Sequence, residues 1–308
     1  MSKVSIIGAG NVGSLCAYCL ATKNFLDELI ILDIIDGQAE GIALDIRQST
    51  AINQIDTFIY GVSSDYNATK NSDVVVITSG THRRPGMNRT DLMFTNAKII
   101  NEIVPQILLH SPSTIIIVVT NPLDILSYYT YKISGIPSNR IIGMSGILDV
   151  ARYKSFIAEL LHISVKEIDA IVLGGHGNTM LPMIRYTTIG GIPIKQIFSE
   201  EQLKQLVERT IMGGDEIIKL LGRSGWYAAG TSVSEMVDSI INNHRRVLPV
   251  CAFLNGEYGL NDIYFGVPAI IGSYGVEKII ELDLLEEEKQ ILQSSANSIK
   301  MGLLDLYN

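Results

Sequence analysis

VSIIGAGNVG, residues 4–13, is the stretch that decides the fold of this chain. Its first four residues form an apolar run typical of a short buried strand, and residues 14–22 continue with the apolar spacing of a helix. The three glycines between strand and helix follow the pattern GxGxxG. A strand, a glycine turn and a helix in this order predict the first unit of a doubly wound α/β (Rossmann) fold.

The same loop predicts a dinucleotide site. Gly8 permits the tight turn, Gly10 lets the backbone approach a pyrophosphate, and Gly13 lets the helix pack on the strand. Asp33 ends the next predicted strand, 20 residues after Gly13, where a carboxylate accepts hydrogen bonds from both ribose hydroxyls and repels a 2′-phosphate. We therefore expect NAD rather than NADP as the cofactor; the alternative is a tight turn with no ligand. The expected contacts are Gly8, Ala9, Gly10, Asn11, Val12, Gly13 and Asp33.

Buried strands alternate with helical segments through the first half of the chain. Continuous Val/Ile runs at 73–78, 114–120 and 141–143 lie between segments with helical spacing. This alternation predicts a parallel sheet with helices on both faces, whose ligands bind at the carboxyl ends of the strands. We expect an NAD-binding Rossmann domain over residues 1–143 and a mixed α+β substrate domain over residues 144–308.

The composition limits the class of protein. Of the 308 residues 47% are hydrophobic and 18% are charged, so we expect the chain to bury additional surface against copies of itself. A net charge of −8 argues against nucleic acid as a partner. No apolar run is long enough to span a bilayer and no signal-peptide pattern precedes the first strand. We therefore expect a soluble, cytoplasmic protein without a membrane partner.

Two of the three cysteines have the CxxC spacing of some redox and metal sites. Cys16 and Cys19 lie in an apolar helical stretch, and no second pair accompanies them. We therefore interpret them as small residues of a helix core and expect no metal site.

A second glycine-rich stretch, IDAIVLGGHGNTM at residues 168–180, contains a candidate catalytic group. His176 follows an apolar run and stands between Gly175 and Gly177, where other groups can approach it closely. Because histidine titrates near neutral pH, it can act as a general base. The alternative is an ordinary loop histidine on a tight turn.

Charged and amide side chains at other strand ends are candidate partners of this histidine. The loop at residues 79–91 carries three arginines and suits a flap that closes over an anion; otherwise it is a solvated basic loop. Asn121 ends a strand and can bind substrate or cofactor, or cap the next helix. Asp149 and Arg152 share a helix face, either as a structural salt bridge or as partners of an imidazole and a carboxylate.

Together these motifs resemble the lactate/malate dehydrogenase family. They occur in the family's order over nearly the whole chain: GAGNVG at 8–13, Asp33, RRPGMNR at 83–89, TNP at 120–122, LDVAR at 148–152 and GGHGNTM at 174–180. Arg83 stands where malate dehydrogenases of the family have arginine and lactate dehydrogenases typically have glutamine. The chain therefore most resembles the lactate-dehydrogenase-like malate dehydrogenases of bacteria.

The resemblance implies a role for each candidate residue. His176 is implied as the general base, with Asp149 holding its other ring nitrogen. Arg89 is implied to polarise the substrate carbonyl and Arg152 to bind the C1 carboxylate. Asn121 is implied to orient the substrate oxygen. The further cofactor contacts implied are Asn96, Val119, Thr120 and Asn121.

The resemblance also implies a reversible NAD-dependent oxidation of malate to oxaloacetate, a step of the tricarboxylic acid cycle, by a homo-oligomer that is a dimer or tetramer. Oxaloacetate is a dianion and pyruvate a monoanion, and Arg83 can pair the second carboxylate. Pyruvate would leave that guanidinium buried and unpaired, at a cost of about 3–5 kcal/mol. Two alternatives stay open. One is a dehydrogenase of lactate or another 2-hydroxy acid, and the other is a non-catalytic NAD-binding regulator.

Overall fold

The computed structural model describes residues 2–81 and 89–307, except for the side chain of Arg89. Within these residues the strands are β1 (Lys3–Ile7), β2 (Glu28–Asp33), β3 (Phe58–Ser63), β4 (Val74–Ile77), β5 (Ile115–Val118), β6 (Ile141–Gly143), β7 (Ile168–Asp169), β8 (Val172–Gly174), β9 (Met180–Pro182), β10 (Thr188–Ile189), β11 (Ile192–Pro193), β12 (Arg246–Asn255), β13 (Asn261–Gly272) and β14 (Gly275–Ile279). The helices are α1 (Asn11–Thr22), α2 (Gln38–Ile52), α3 (Arg89–His110), α4 (Leu123–Ser134), α5 (Gly146–Leu161), α6 (Glu200–Leu221), α7 (Tyr227–Ile241) and α8 (Glu286–Tyr307).

One large sheet forms the centre of the molecule. Nine of the described strands lie in the order β14-β13-β12-β6-β5-β4-β1-β2-β3. The strands from β6 to β3 are parallel, and β12, β13 and β14 are antiparallel. Strands β4 and β5 are buried along their whole length, as expected of Val/Ile runs inside a parallel sheet covered on both faces. The predicted doubly wound parallel sheet with a mixed α/β second half is confirmed.

The strand register brings the loops of interest to one edge of the sheet. Ile7 pairs with Leu32 on one side and with Ile77 on the other, and Ile77 pairs with Val118. The glycine loop, the end of β2 and the loops after β4 and β5 therefore leave the sheet at a shared carboxyl edge. In sheets of this kind, that edge is where ligands bind.

The second half of the chain continues this sheet instead of building a separate one. Strand β12 pairs antiparallel with β6, with Cys251 opposite Gly143. A Cβ at Gly143 would stand 2.7 Å from Cys251 Cβ, so the absence of a side chain allows the two strands to approach. Local patterning could not predict this junction, because it joins residues far apart in sequence.

Strand β13 is longer than predicted. The sequence shows strand character over residues 262–265, whereas β13 runs from Asn261 to Gly272. Pro268 lies inside β13, directly opposite Pro249 of β12. Two prolines can face each other in an antiparallel pair, because alternate pairs exchange no N–H hydrogen bond. The strand therefore continues past a residue that usually interrupts a ladder.

The stretch that carries His176 lies directly on the large sheet. Strand β8 pairs with β9 and packs against β13. A Cβ at Gly266 would clash with the Gly174 carbonyl oxygen, so only glycine lets β13 pass this close beneath β8. The end of β8, where the GGHG segment begins, is thus supported by the central sheet.

Candidate active site

The glycine loop after β1 is shaped for the close approach of a ligand. Gly8 has a φ of +112°, and a Cβ there would stand 2.7 Å from the Ser79 amide nitrogen. A Cβ at Gly13 would clash with the Gly8 carbonyl oxygen, so packing of α1 on the turn requires this glycine. A Cβ at Gly10 would meet no atom within 4 Å. The fold does not require the second glycine, and the space beside it suits a pyrophosphate.

Helix α1 begins at this space without a side-chain cap. Gly10 is its N-cap residue, and Asn11 and Val12 open the first turn. The first amides of a helix have no partner inside it, so they form a site for phosphate oxygens. These backbone groups fit the diphosphate of a dinucleotide.

Asp33 is held beside the same loop. The Ala9 amide donates a hydrogen bond to Asp33 Oδ2 at 2.6 Å, and the Ile35 amide donates to Oδ1 at 3.0 Å. Each carboxylate oxygen has a second lone pair with which to accept a ribose hydroxyl. The carboxylate is therefore oriented before any ligand arrives, and its charge disfavours the 2′-phosphate of NADP.

Asn96 connects two loops of the carboxyl edge. Its buried side chain accepts the Thr81 amide at Oδ1 (2.8 Å) and donates from Nδ2 to the Asn121 carbonyl oxygen (2.7 Å). Thr120 makes a similar connection, since its hydroxyl donates to the Ser79 carbonyl oxygen at 2.6 Å. Both residues were predicted to contact the cofactor. Their side chains are bonded within the protein, so they shape the loops around a ligand.

The other two residues predicted in this loop differ in exposure. Val119 is buried and the Asn121 side chain is exposed. Helix α4 begins at Leu123 with Pro122 as its N-cap residue and no side-chain cap hydrogen bond. The interpretation of Asn121 as a helix cap was therefore wrong, and its amide can face a ligand.

Helix α5 brings Asp149 and Arg152 to His176. Asp149 Oδ2 lies 2.9 Å from His176 Nδ1, and Asp149 Oδ1 lies 3.4 Å from Arg152 Nη1. With the proton on Nδ1, the ring donates to Asp149 and Nε2 is the basic atom. The pair is therefore more than a salt bridge within a helix, because one carboxylate orients both an imidazole and a guanidinium.

The charges around His176 favour its protonated form. Burial alone would lower the pKa of His176, but the carboxylates of Asp149 and Asp124 outweigh burial and raise this pKa above its ordinary value. The Arg152 guanidinium opposes the carboxylates and limits the rise. The histidine can thus take up a proton and hold it as an imidazolium.

Asp124 also contacts His176, and the sequence analysis did not identify it. This residue is buried in the first turn of α4, and its Oδ2 accepts the His176 backbone amide at 2.9 Å. Its other oxygen, Oδ1, accepts the Cys251 thiol at 3.3 Å. The only signal in the sequence is an acid two residues after the TNP motif. An acid in the first turn is a common feature of helices, so the pattern alone could not distinguish it.

The side chains of two predicted arginines lie outside the described part of the chain. Arg83 lies outside the described residues, as does the rest of the predicted flap from residue 82 to residue 88. Arg89 opens helix α3, but its side chain is not among the described groups. Their contacts with substrate stay predictions.

A polar cleft of about 590 Å³ lies elsewhere in the molecule. Its lining includes Ser72, Asp73 and Arg140, which precede strands β4 and β6 and so lie at the amino edge of the sheet. None of the predicted site residues lines it. The carboxyl edge is thus the better candidate for catalysis.

The described residues contain no group of three or more His, Cys, Asp or Glu side chains that could hold a metal ion. Cys16 is buried in α1 and Cys19 half-buried, and neither forms a disulfide. Across residues 2–81 and 89–307, no helix combines the length and apolar character needed to cross a membrane.

Known proteins share both the sequence and the fold of this chain. Residues 2–143 match the lactate/malate dehydrogenase NAD binding domain, and residues 147–305 match the alpha/beta C-terminal domain of the same family. A malate dehydrogenase of Cytophaga hutchinsonii is 50% identical over 305 residues, which cover 98% of each chain. The solved malate dehydrogenase of Salinibacter ruber has a TM-score of 0.95 at 44% identity, covering 99% of this chain and 97% of the other.

A lactate dehydrogenase has nearly the same fold. The structure of this enzyme from Cryptosporidium parvum, solved with lactic acid and NAD, has a TM-score of 0.96 at 33% identity and covers 100% of this chain and 98% of the other. The matches extend over both halves of the chain and confirm the resemblance drawn from its motifs. The chain therefore belongs to the lactate/malate dehydrogenase family of NAD-dependent oxidoreductases.

Proposed function

We propose that this chain is an NAD-dependent malate dehydrogenase that interconverts malate and oxaloacetate, with residues 1–143 holding the cofactor and residues 144–308 supplying most of the substrate site. The observation that carries the proposal is the contact of one buried carboxylate, Asp149, with both the His176 imidazole and the Arg152 guanidinium. A base and a carboxylate-binding group are what a 2-hydroxy acid requires. The malate dehydrogenase relative at 50% identity supports a dicarboxylate substrate.

The cofactor site consists of the glycine loop and Asp33. Residues 8–13 present backbone amides to the diphosphate, and the Asp33 carboxylate accepts the ribose hydroxyls. The Asn96 and Thr120 side chains hold the neighbouring loops in position around Val119 and Asn121. NAD bound at this site would supply an acceptor for the hydride of the substrate carbon.

The proton is handled by His176. In malate oxidation Nε2 takes the hydroxyl proton, and in oxaloacetate reduction the imidazolium returns it. Asp149 accepts the Nδ1 hydrogen, which selects the tautomer with a basic Nε2 and stabilises the imidazolium. The base is thus prepared for both directions of the reaction.

Arginine side chains bind the two carboxylates and the reacting oxygen. Arg152 is half-buried. Its N–H groups that do not face Asp149 donate hydrogen bonds to the C1 carboxylate. We assign Arg89 to the C2 oxygen, where charge grows in the transition state, and Arg83 to the C4 carboxylate. The exposed Asn121 amide orients the C2 oxygen. This assignment makes the charge of the substrate its main recognition feature.

We also propose that the protein is a cytoplasmic homo-oligomer of the tricarboxylic acid cycle. Exposed apolar side chains on three helices, Tyr18 of α1, Leu44 of α2 and Tyr227 of α7, support self-association. Light scattering of the purified protein tests this part of the proposal. A dimer or tetramer is the expected result, and a monomer at micromolar concentration contradicts it.

One assay tests the assigned reaction. NADH oxidation is followed by absorbance with oxaloacetate, with pyruvate and with no acceptor. We expect kcat/KM for oxaloacetate to exceed that for pyruvate by on the order of several hundredfold, because pyruvate leaves a buried guanidinium unpaired. A preference for pyruvate would indicate a dehydrogenase of another 2-hydroxy acid. Binding of NADH without turnover of either acid would indicate a regulator.

A further inference from the structure

Two buried carboxylates from different helices meet at His176. Asp149 of α5 contacts the ring nitrogen Nδ1, and Asp124 of α4 contacts the backbone nitrogen, each at 2.9 Å. The ring contact belongs to the catalytic cluster proposed above. The backbone contact has no part in that mechanism.

The loop around His176 is rich in glycine, so its own residues restrict its backbone conformation very little. Gly174 and Gly177 both have positive φ values, of +99° and +124°, and Gly175 separates Gly174 from the histidine. Glycine permits many backbone conformations, so a glycine-rich loop is ordered only where other groups hold it. Here the Ser295 hydroxyl of α8 accepts the Gly175 amide at 3.0 Å, and Asp124 accepts the next amide along the chain.

The surroundings of Asp124 suit an ionised carboxylate. Its two oxygens each face a donor, the His176 amide and the Cys251 thiol. An ionised carboxylate can only accept hydrogen bonds, whereas a protonated one must also donate. Its position in the first turn of α4 adds the favourable field of the helix N-terminus. Burial is the largest effect and raises the pKa of Asp124 above its ordinary value, and the nearby Asp149 carboxylate adds to the rise, while His176 and the two hydrogen bonds oppose it.

We propose that Asp124 is a positioning residue for His176: its carboxylate fixes the backbone of the histidine loop and adds a second negative charge that favours the imidazolium. The inference rests on the proposed role of His176 as general base. Among the residues that the structure describes, the charged and titratable groups that face the histidine are Asp149 and Arg152 from α5 and Asp124 from α4, with Cys251 of β12 behind Asp124. Asp124 is thus one of two carboxylates that hold the imidazole in place and set its charge.

Three variants separate the two parts of this role. Asp124→Asn keeps an oxygen that can accept the His176 amide but removes the charge. Asp124→Ala removes both. Ser295→Ala removes the neighbouring amide contact of Gly175 and leaves every charge in place. Asp45→Asn, which neutralises an exposed carboxylate on α2, is the matched control for charge.

The main readout is the apparent pKa of His176, taken from the pH profile of kcat/KM and from an NMR titration of the imidazole. Asp124→Asn should lower this pKa by roughly half a unit to one unit, a small shift because the carboxylate contacts the backbone and not the ring. Ser295→Ala and Asp45→Asn should leave the pKa within the error of the titration. Asp124→Ala should reduce kcat by roughly 10- to 100-fold, with the NADH dissociation constant unchanged, because the base is displaced.

Equal pKa values for His176 in the wild type and Asp124→Asn, together with wild-type kcat in Asp124→Ala, would overturn the proposal. A measurement on the unmodified protein guards against variants that do not fold. Hydrogen exchange of the His176 amide should be slower than that of the Gly177 amide, because only the former donates to a buried carboxylate. Equal exchange rates would contradict the backbone contact.

The NMR titration and the exchange measurement do not depend on turnover. If the wild type fails to oxidise NADH with any 2-oxo acid, the proposed function fails, while these two measurements still test the contact of Asp124 with His176.

Discussion

The side chain of Arg152 lies directly across Gly213 of helix α6. A Cβ at Gly213 would clash with Arg152 Cδ and stand 2.8 Å from Nε, whereas a Cβ at the adjacent Gly214 would stand 3.7 Å from Nη2, an ordinary contact distance. Two successive glycines inside a helix are unfavourable by roughly 1 kcal/mol each relative to alanine. The first of them makes room for the guanidinium that is assigned to the substrate carboxylate.

We therefore expect Gly213→Ala and Gly214→Ala to behave differently. In Gly213→Ala the flexible arginine shifts, so the fold survives but kcat/KM for oxaloacetate falls by roughly 10- to 100-fold. In Gly214→Ala kcat/KM stays within about twofold of the wild type, and helix propensity raises stability by up to about 1 kcal/mol. Steady-state kinetics and thermal unfolding of both variants provide the comparison. Equal kinetics for the two variants would show that Arg152 does not need the space at Gly213.

Gly10 and Gly13 of the glycine loop should also respond differently to alanine. Gly10→Ala places a methyl group in the space assigned to the diphosphate, so it should weaken NADH binding by roughly tenfold or more with little change in Tm. Gly13→Ala forces a clash with the Gly8 carbonyl oxygen and should lower Tm. Gly41→Ala in α2 is the matched control, because its Cβ also meets open space and it lies outside the loop. NADH fluorescence titration and calorimetry measure the two effects. Unchanged NADH affinity in Gly10→Ala would place the diphosphate elsewhere.

The raised pKa of His176 predicts opposite pH profiles for the two directions of reaction. Oxaloacetate reduction requires the imidazolium, so its kcat/KM is full below the pKa of His176 and is lost as the pH rises through that pKa. Malate oxidation requires the neutral ring, so its kcat/KM rises over the same interval. Steady-state assays in both directions between about pH 5 and pH 10 measure these profiles.

Asp149→Asn should move both profiles to lower pH. The substitution removes the carboxylate that favours the imidazolium, so the pKa of His176 falls and kcat/KM decreases by about 10²- to 10⁴-fold. Asp169→Asn, an exposed carboxylate on β7, should leave the profiles unchanged. An Asp149→Asn profile that coincides with the wild type would show that another group titrates.

Arg83 is predicted to set the choice between oxaloacetate and pyruvate. Arg83→Gln removes the charge assigned to the C4 carboxylate, so the ratio of kcat/KM for oxaloacetate to that for pyruvate should fall by on the order of a hundredfold. The neighbouring Arg84 offers a control of the same chemistry, and Arg84→Gln should keep the wild-type ratio within a few fold. If Arg83→Gln retains the preference for oxaloacetate, pairing of Arg83 with the second carboxylate does not explain the specificity.

Much of the fold could be predicted from local pattern. The parallel strands are continuous runs of Val and Ile, and each is followed by a segment with helical spacing, so β1, β4 and β5 and the helices between them follow from periodicity. The pairing of β12 with β6 could not be predicted in this way. It depends on the close approach of Gly143 and Cys251, which are too far apart in sequence for a local pattern to include both.

Local sequence patterns also predicted some residues of the candidate site and missed others. His176 and the Asp149/Arg152 pair were recognised because each belongs to a compact motif, and the structure brings the three together. Asp124 was missed because its contact with the His176 amide depends on which loop packs against the first turn of α4, and the sequence does not show this. Asn96 was recognised as a site residue, but the two shortest hydrogen bonds of its side chain run to the protein backbone, and no spacing rule predicts that orientation.

The nine-stranded sheet has β3 at one edge and continues through β6 into β12. The cofactor loop and the histidine loop are therefore supported by one continuous sheet of hydrogen-bonded strands. A hinge between the two halves would have to break the pair between Cys251 and Gly143. We therefore expect the substrate to be enclosed by movement of local segments at the edge of this sheet, because the distance between the cofactor loop and His176 is set by the spacing of paired strands.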